Sequence, residues 1–165
     1  MKAKLSPYDI SYIMKKFRPK TPFDFKEFGL TLRQCGSGCS RIVYTIVGHG
    51  LVIKIPKVGE KFSAKRHSVQ EYKAYLRIAN KKVTKYKKLW PHLPEIYCCT
   101  QDGLILMKKY KVCAGGFGNK EYQKVHNIAN YLFPESGDTD LYGENLGRDE
   151  KGKLVMLDFG TFFKW

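Results

Sequence analysis

The chain has few of the features that would set it apart from ordinary globular proteins. No apolar stretch reaches the roughly 18 residues that a membrane span needs, and the N-terminal residues lack the apolar run of a signal peptide. Both absences point to a cytoplasmic protein with no membrane contact. Cysteine is sparse: Cys35, Cys39, Cys98, Cys99 and Cys113 make an odd number without framework spacing, which excludes a disulfide scaffold and fits a reduced compartment. Cys35 and Cys39 are four apart, but no second pair with His at zinc spacing follows, so a structural zinc site is not expected. Acid is scarce, with 15 Asp and Glu against 30 Lys and Arg and a net charge of +15. Internal repeats, low-complexity segments and lipidation motifs are all missing.

Apolar residues make up 43% of the 165, and aromatics 14%, so the chain is globular rather than disordered. This length buries one good core, or two small lobes sharing a cleft. Near the C-terminus stands Asp140-Leu141-Tyr142-Gly143-Glu144-Asn145, followed by Asp158-Phe159-Gly160. An Asp, an Asn and a second Asp suit phosphoryl transfer from a metal-bound nucleoside triphosphate. One carboxylate receives or orients the proton of the attacking hydroxyl, while an amide oxygen and a second carboxylate hold metal ions. Asp158 follows the apolar run Lys153–Leu157, which predicts a strand. Taken alone, the Asp-x-Gly tripeptide is equally a turn after that strand.

The N-terminal half adds a loop and a lysine. Cys35-Gly36-Ser37-Gly38-Cys39-Ser40-Arg41 carries glycines whose backbone N–H groups can approach phosphate oxygens with no Cβ in the way. Ile42–Val47, the turn Gly48-His49-Gly50 and Leu51–Ile55 predict a hairpin. Lys54 lies in the return strand between Ile53 and Ile55, either pointing out of a half-buried strand or aimed into a cleft. Residues 68–79 have a helical period, with Val69, Tyr72, Tyr75 or Leu76, and Ala79 as the apolar face. Glu71 on that helix is either a first-turn acid favoured by the helix dipole or the ion-pair partner of Lys54.

Read in order, Gly-Ser-Gly-Cys-Ser-Arg-Ile-Val, then Val-Ile-Lys-Ile, then Glu71, then Asp-Leu-Tyr-Gly-Glu-Asn, then Asp-Phe-Gly, the chain resembles a protein-kinase-like fold from about Phe28 to Gly160. The resemblance implies an α+β fold with an antiparallel-sheet N-lobe and a truncated, mainly helical C-lobe. It implies ATP and Mg²⁺ as cofactors. Gly36, Ser37, Gly38, Cys39 and Val43 would surround the nucleotide. Lys54 would contact the α- and β-phosphates and pair with Glu71, Asp140 would be the catalytic base, and Asn145 and Asp158 would bind Mg²⁺. The strand Leu104–Met107 and Lys108-Lys109-Tyr110 would carry the adenine-binding hinge, with Met107 as gatekeeper.

Three departures accompany the resemblance. Arg41 replaces the third loop glycine, and Asp138-Thr139 stands where His-Arg usually precedes the catalytic Asp. The chain stops at Trp165, five residues after Gly160, without an activation segment. It is therefore most similar to small phage-encoded kinases and kinase-like proteins with a reduced second lobe. This implies a minimal serine/threonine-type protein kinase acting on host proteins in the host cytoplasm. The alternative is a pseudokinase-like binding protein. A small-molecule kinase of the antibiotic or choline type is weaker, because its large second-lobe insertions are missing.

Elsewhere, Ser6-Pro7-Tyr8-Asp9 predicts a capped helix to about Phe17, with Ile10, Ile13, Met14 and Phe17 on one face. Glu95–Thr100 and Leu104–Met107 predict a second hairpin. Ala114–Gly118 predicts a joint between lobes, and Glu121–Phe133 a helix with Tyr122, Val125, Ile128, Ala129 and Leu132 on one stripe. His126 on that helix is expected at the surface or half-buried. The resulting organisation is a helix and linker over 1–22, an N-lobe over 23–113 and a minimal C-lobe over 114–165. The lysine-rich segment 80–90, with Tyr86 and Trp90, offers charge for phosphates and rings for stacking. It would equally suit an acidic protein partner or substrate, or simply a solvated surface. Leftover apolar surface on the helix Glu121–Phe133, with Phe162, Phe163 and Trp165, would favour a dimer or a host partner. Cys39, if exposed in the phosphate loop, would be open to oxidation.

Overall fold

A computed structural model describes residues 4–57, 64–113, 120–134, 141 and 143–159. The fold is α+β and divides into two compact units, Met1–Val69 with Glu95–Lys109, and Gln70–Pro94 with Tyr110–Trp165. The partition drawn from the sequence is linear, at residues 22 and 113, whereas the compact units interleave the chain.

The first unit opens with α1 (Pro7–Phe17). Its start is a capping box: the Asp9 N–H donates to Ser6 Oγ at 3.2 Å, and the Ser6 N–H donates to Asp9 Oδ2 at 2.8 Å. Arg18 closes the helix in the left-handed region at φ 51°. Ile10 and Met14 are fully buried, but Phe17, expected on the same face, is 53% exposed and leans on Phe28 instead.

Five antiparallel strands follow: β1 (Leu32–Ser37), β2 (Arg41–Ile46), β3 (Leu51–Pro56), β4 (Ile96–Cys99) and β5 (Ile105–Lys108). Their spatial order is β1-β2-β3-β5-β4. Both predicted hairpins form, and each turn uses glycine at positive φ, at Gly48, Gly50 and Gly103. One face of the sheet packs Ile46, Leu51, Ile53 and Leu106 against Ile10 and Met14 of α1, together with Phe25 from a short 3₁₀ turn.

The helix α2 runs Ala64–Ala79, and the division between units falls within it. Its buried line is Ala64, Ser68, Glu71, Ala74 and Ile78, at helical spacing. This corrects the apolar face predicted from Val69, Tyr72, Tyr75 or Leu76, and Ala79: Leu76 is 49% exposed and the others are only half-buried. Ser68 and Glu71 occupy core positions, so the pattern of apolar residues marked a neighbouring line of the helix.

The second unit contains the rest of α2, β6 (Lys111–Val112), α3 (Lys120–Leu132), β7 (Leu146–Arg148) and β8 (Leu154–Met156). The three strands form an antiparallel sheet in the order β6-β7-β8. Arg148 Nη1 donates to Glu121 Oε2 at 2.8 Å, and the Leu154 N–H donates to Glu121 Oε1 at 3.2 Å, so one carboxylate ties the start of α3 to both strands. Tyr122, Val125 and Ala129 are buried, while Ile128 and Leu132 are half-buried, a narrower stripe than predicted. Gly147 is required by packing: a Cβ there would lie 2.9 Å from Tyr110 Cβ and 3.0 Å from Leu157 Cδ1. The predicted joint 114–118 and residues 135–140 and 160–165 lie outside the described residues.

Candidate functional site

In the first unit, strand register sorts the candidates onto one face. Gly36 pairs with Val43, Val43 with Lys54, and Lys54 with Ile105. Directly paired residues share a face, so these four form a row across β1, β2, β3 and β5. Val52 and Met107, paired with one another, stand two residues along on that face. Alternation puts Ile53, Ile55 and Leu106 on the other face, toward α1. Lys54 therefore points away from the N-terminal helix, answering the ambiguity its sequence context leaves.

Lys54 is only 7% exposed, between Val52, Ile105 and Met107. A lysine is seldom this buried without negative or accepting groups nearby, because an ammonium loses its hydration there. Ile105 and Val52 were not singled out from sequence; only pairing shows that they share the face of Lys54. Cys99 pairs with Ile105 and lies 4.0 Å by its Sγ from the Ser68 carbonyl of α2. The first turns of α2 thus cover this same face.

The glycine turn lies at the end of the row. The Gly38 N–H donates to the Arg41 carbonyl at 2.9 Å, closing the β1–β2 hairpin. Ser37, Gly38 and Cys39 are exposed, and Val43 is half-buried. Among the described residues no atom lies within 4 Å of where a Gly38 Cβ would stand, and its φ is not left-handed. Neither packing nor backbone conformation within the described residues calls for glycine there. Open space above a bare backbone is what an approaching anion needs.

At the far end of β5, the N–H of Lys108 donates to the Glu95 carbonyl and that of Lys109 to the Gly50 carbonyl, each at 2.9 Å. Two of the N–H groups expected to face an adenine are thus engaged within this unit.

In the second unit, Asn145 and Asp158 come together through the β7–β8 pairing. Leu146 pairs with Met156, and the Leu157 N–H donates to the Asn145 carbonyl at 2.7 Å. The two candidate metal ligands, 13 residues apart in the chain, therefore stand at the same end of one hairpin. Both are half-buried. An amide oxygen and a carboxylate are hard donors that suit Mg²⁺, which takes few protein ligands and completes its shell with phosphate and water. Among the described residues no group of three or more His, Cys, Asp or Glu side chains gathers as a metal site. Asp140 lies outside the described residues, and Leu141 beside it is fully buried.

Glu71 is fully buried, seven residues into α2, which removes the first-turn dipole role considered for it. One turn further along the helix, Tyr75 meets the ring of Phe159 edge-on, with centroids 5.9 Å apart. Phe159 is itself 1% exposed, so the residue after Asp158 is anchored on α2.

Two remaining expectations are decided by packing. His126 is half-buried and stacks on Tyr122, with centroids 5.6 Å apart. Tyr86 is no stacking platform: it is 1% exposed and lies flat on Phe133 at 5.5 Å. Trp90 is half-buried, its Nε1–H donating to the Ile78 carbonyl at 2.8 Å. The thiols separate into two kinds. Cys35 and Cys39 are exposed, while burial raises the pKa of Cys98 and pushes that of Cys99 up to about 11.

Compared with known proteins, the chain matches no family model and no curated protein.

Proposed function

We propose that this protein is a minimal protein-kinase-like phosphotransferase that binds Mg²⁺–ATP and passes a phosphoryl group to a protein hydroxyl. The observation that carries the reading is the row Gly36, Val43, Lys54 and Ile105, which sets a buried lysine in line with a glycine turn whose outer side is open. In this reading Gly36, Ser37, Gly38 and Cys39 cover the phosphates, Gly38 contributing the space left by its missing side chain, since its N–H is bonded to the Arg41 carbonyl. Lys54 holds the α- and β-phosphates, Glu71 acts as its counter-ion, and Val43, Val52 and Met107 give the base an apolar wall. Asn145 and Asp158 hold Mg²⁺, which neutralises phosphate charge when bound. Asp140 receives the proton of the attacking hydroxyl.

The pairing that sets Asn145 beside Asp158 supports the metal role independently of the lysine row. Phosphoryl transfer depends mostly on positioning and charge neutralisation, so a small scaffold suffices in principle. A ligand that binds only the folded state raises the melting temperature. Millimolar ATP with Mg²⁺ is expected to stabilise the wild type, and Asp158→Ala or withdrawal of Mg²⁺ to abolish the effect. Asp140→Asn is expected to keep that stabilisation and lose transfer of labelled phosphate. Unchanged melting of the wild type at millimolar Mg²⁺–ATP would end the enzymatic reading.

A second reading, a kinase-like binding protein, is favoured by the exposed lysines between residues 81 and 88. The two separate at Lys54→Met, which eliminates the biological effect of an enzyme and leaves that of a binder intact.

A further inference from the structure

Between Tyr72 and Pro94 the chain carries Lys73, Arg77, Lys81, Lys82, Lys85, Lys87 and Lys88 and not one Asp or Glu. All seven cations are exposed. The segment from 80 to 92 is nevertheless built firmly. Tyr86 and Leu89 are buried to 1% and 0% exposure, with Tyr86 stacked on Phe133. The Trp90 indole is bonded to Ile78, and the Asn80 side chain accepts the Lys82 N–H at 3.0 Å. Alternation of inward anchors with outward lysines holds Lys81, Lys82, Lys85, Lys87 and Lys88 outside a packed frame. None of these five is paired with a carboxylate among the described residues.

We propose that this segment of the second unit is a docking surface for the phosphate backbone of double-stranded nucleic acid. Charge density favours that partner over an extended acidic segment: a duplex presents one negative charge per roughly 1.7 Å of axis, whereas an extended acidic peptide spaces its side chains at about 3.3 Å per residue. The burial of Tyr86 and the tethering of Trp90 remove the rings that a single strand would stack on. Lysines are point charges without the planar fork that reads base edges, so binding is independent of sequence. The inference does not depend on the phosphotransferase reading, since neither ATP nor Lys54 takes part.

The test is fluorescence anisotropy of a labelled 20-bp DNA duplex of arbitrary sequence, titrated at several salt concentrations. Two variants are compared, each with five fewer positive charges. One replaces Lys81, Lys82, Lys85, Lys87 and Lys88 by Gln. The other replaces Lys4, Lys15, Lys20, Lys124 and Lys151, which are also exposed. With a slope of about −0.9 per phosphate contact, five contacts contribute about −4.5 to the dependence of log K on log salt. The patch variant is expected to lose about that much slope, and the control variant less than about 1. Lys87→Gln with Lys88→Gln, a milder change, is expected to lose about 2. Equal losses in the two five-fold variants would mean that net charge alone drives binding and would overturn the proposal. So would tighter binding of a 20-residue oligoglutamate or of a single-stranded 20-mer than of the duplex.

Discussion

Replacing Gly147 by Ala tests the packing around β7, the strand that follows Asn145. The new methyl would stand 2.9 Å from Tyr110 Cβ, 3.0 Å from Leu157 Cδ1 and 3.3 Å from the Lys111 carbonyl oxygen. Two of these atoms belong to backbone or to the first side-chain carbon, so they move only if β6 moves away from β7. Overpacking of this kind costs about 1–3 kcal/mol, and the stiffer unfolded chain returns about 0.4–1 kcal/mol. The net loss is about 1–2 kcal/mol, or a melting temperature about 2–8 °C lower for a chain of this size. Gly38→Ala is the contrast, because nothing among the described residues lies within 4 Å of its Cβ position and its φ is not left-handed. It is expected to melt within about 0.5 kcal/mol of the wild type while losing most of the stabilisation by Mg²⁺–ATP. Thermal unfolding with and without Mg²⁺–ATP reads both variants together. If Gly147→Ala melts like the wild type, the close approach of β6 to β7 is wrong. If Gly38→Ala is the less stable of the two, the turn's glycine is structural and the open cradle loses its meaning.

The other expectations are simpler to check. Gly103→Ala adds a Cβ 2.9 Å from Lys65 Cα at a φ of +81°, and is expected to destabilise by about 2–4 kcal/mol in chemical denaturation. Ser6→Ala removes the cap of α1 and is expected to cost about 1 kcal/mol, read in the same assay. The hydrogen bond from Arg148, helped by the Leu154 N–H, holds the Glu121 carboxyl below its usual pKa. Its contribution is complete above the unfolded value of about pH 4.3 and disappears as pH falls through the lower folded value. Because Glu121 is more than a third exposed, that contribution stays below about 1 kcal/mol. Glu121→Gln should therefore flatten the stability-against-pH curve only on the acid side. With a thiol reagent at pH 8, Cys35 and Cys39 are expected to react at once. Cys99, whose pKa of about 11 leaves only about one part in a thousand as thiolate, should wait for unfolding. Labelling of Cys99 as fast as Cys39 would contradict its burial.

Local chemistry was legible in the chain itself. The Ser6–Asp9 capping box, the Gly48–Gly50 and Gln101–Gly103 turns and the strands they join depend on contacts within a few residues, and they form where the sequence placed them. The α+β class follows from those elements. The motif residues Gly36, Gly38, Lys54, Glu71, Asn145 and Asp158 could be picked out by type and order alone. Tertiary packing decided which way they face. Lys54 turns from α1 because β2 and β5 hold β3 in a register that alternation then obeys. Glu71 sits on the buried line of α2, though the apolar residues mark another line, because burial follows what a helix packs against and not its mean hydropathy. Tyr86, a ring among lysines in the chain, is core because Phe133, 47 residues later, stacks on it. Gly147 carries no turn signal, and only the approach of Tyr110 and Leu157 makes it necessary. Short-range preference is written in neighbouring residues. Face, burial and close approach arise from segments distant in the chain, and they exist only once those segments have met.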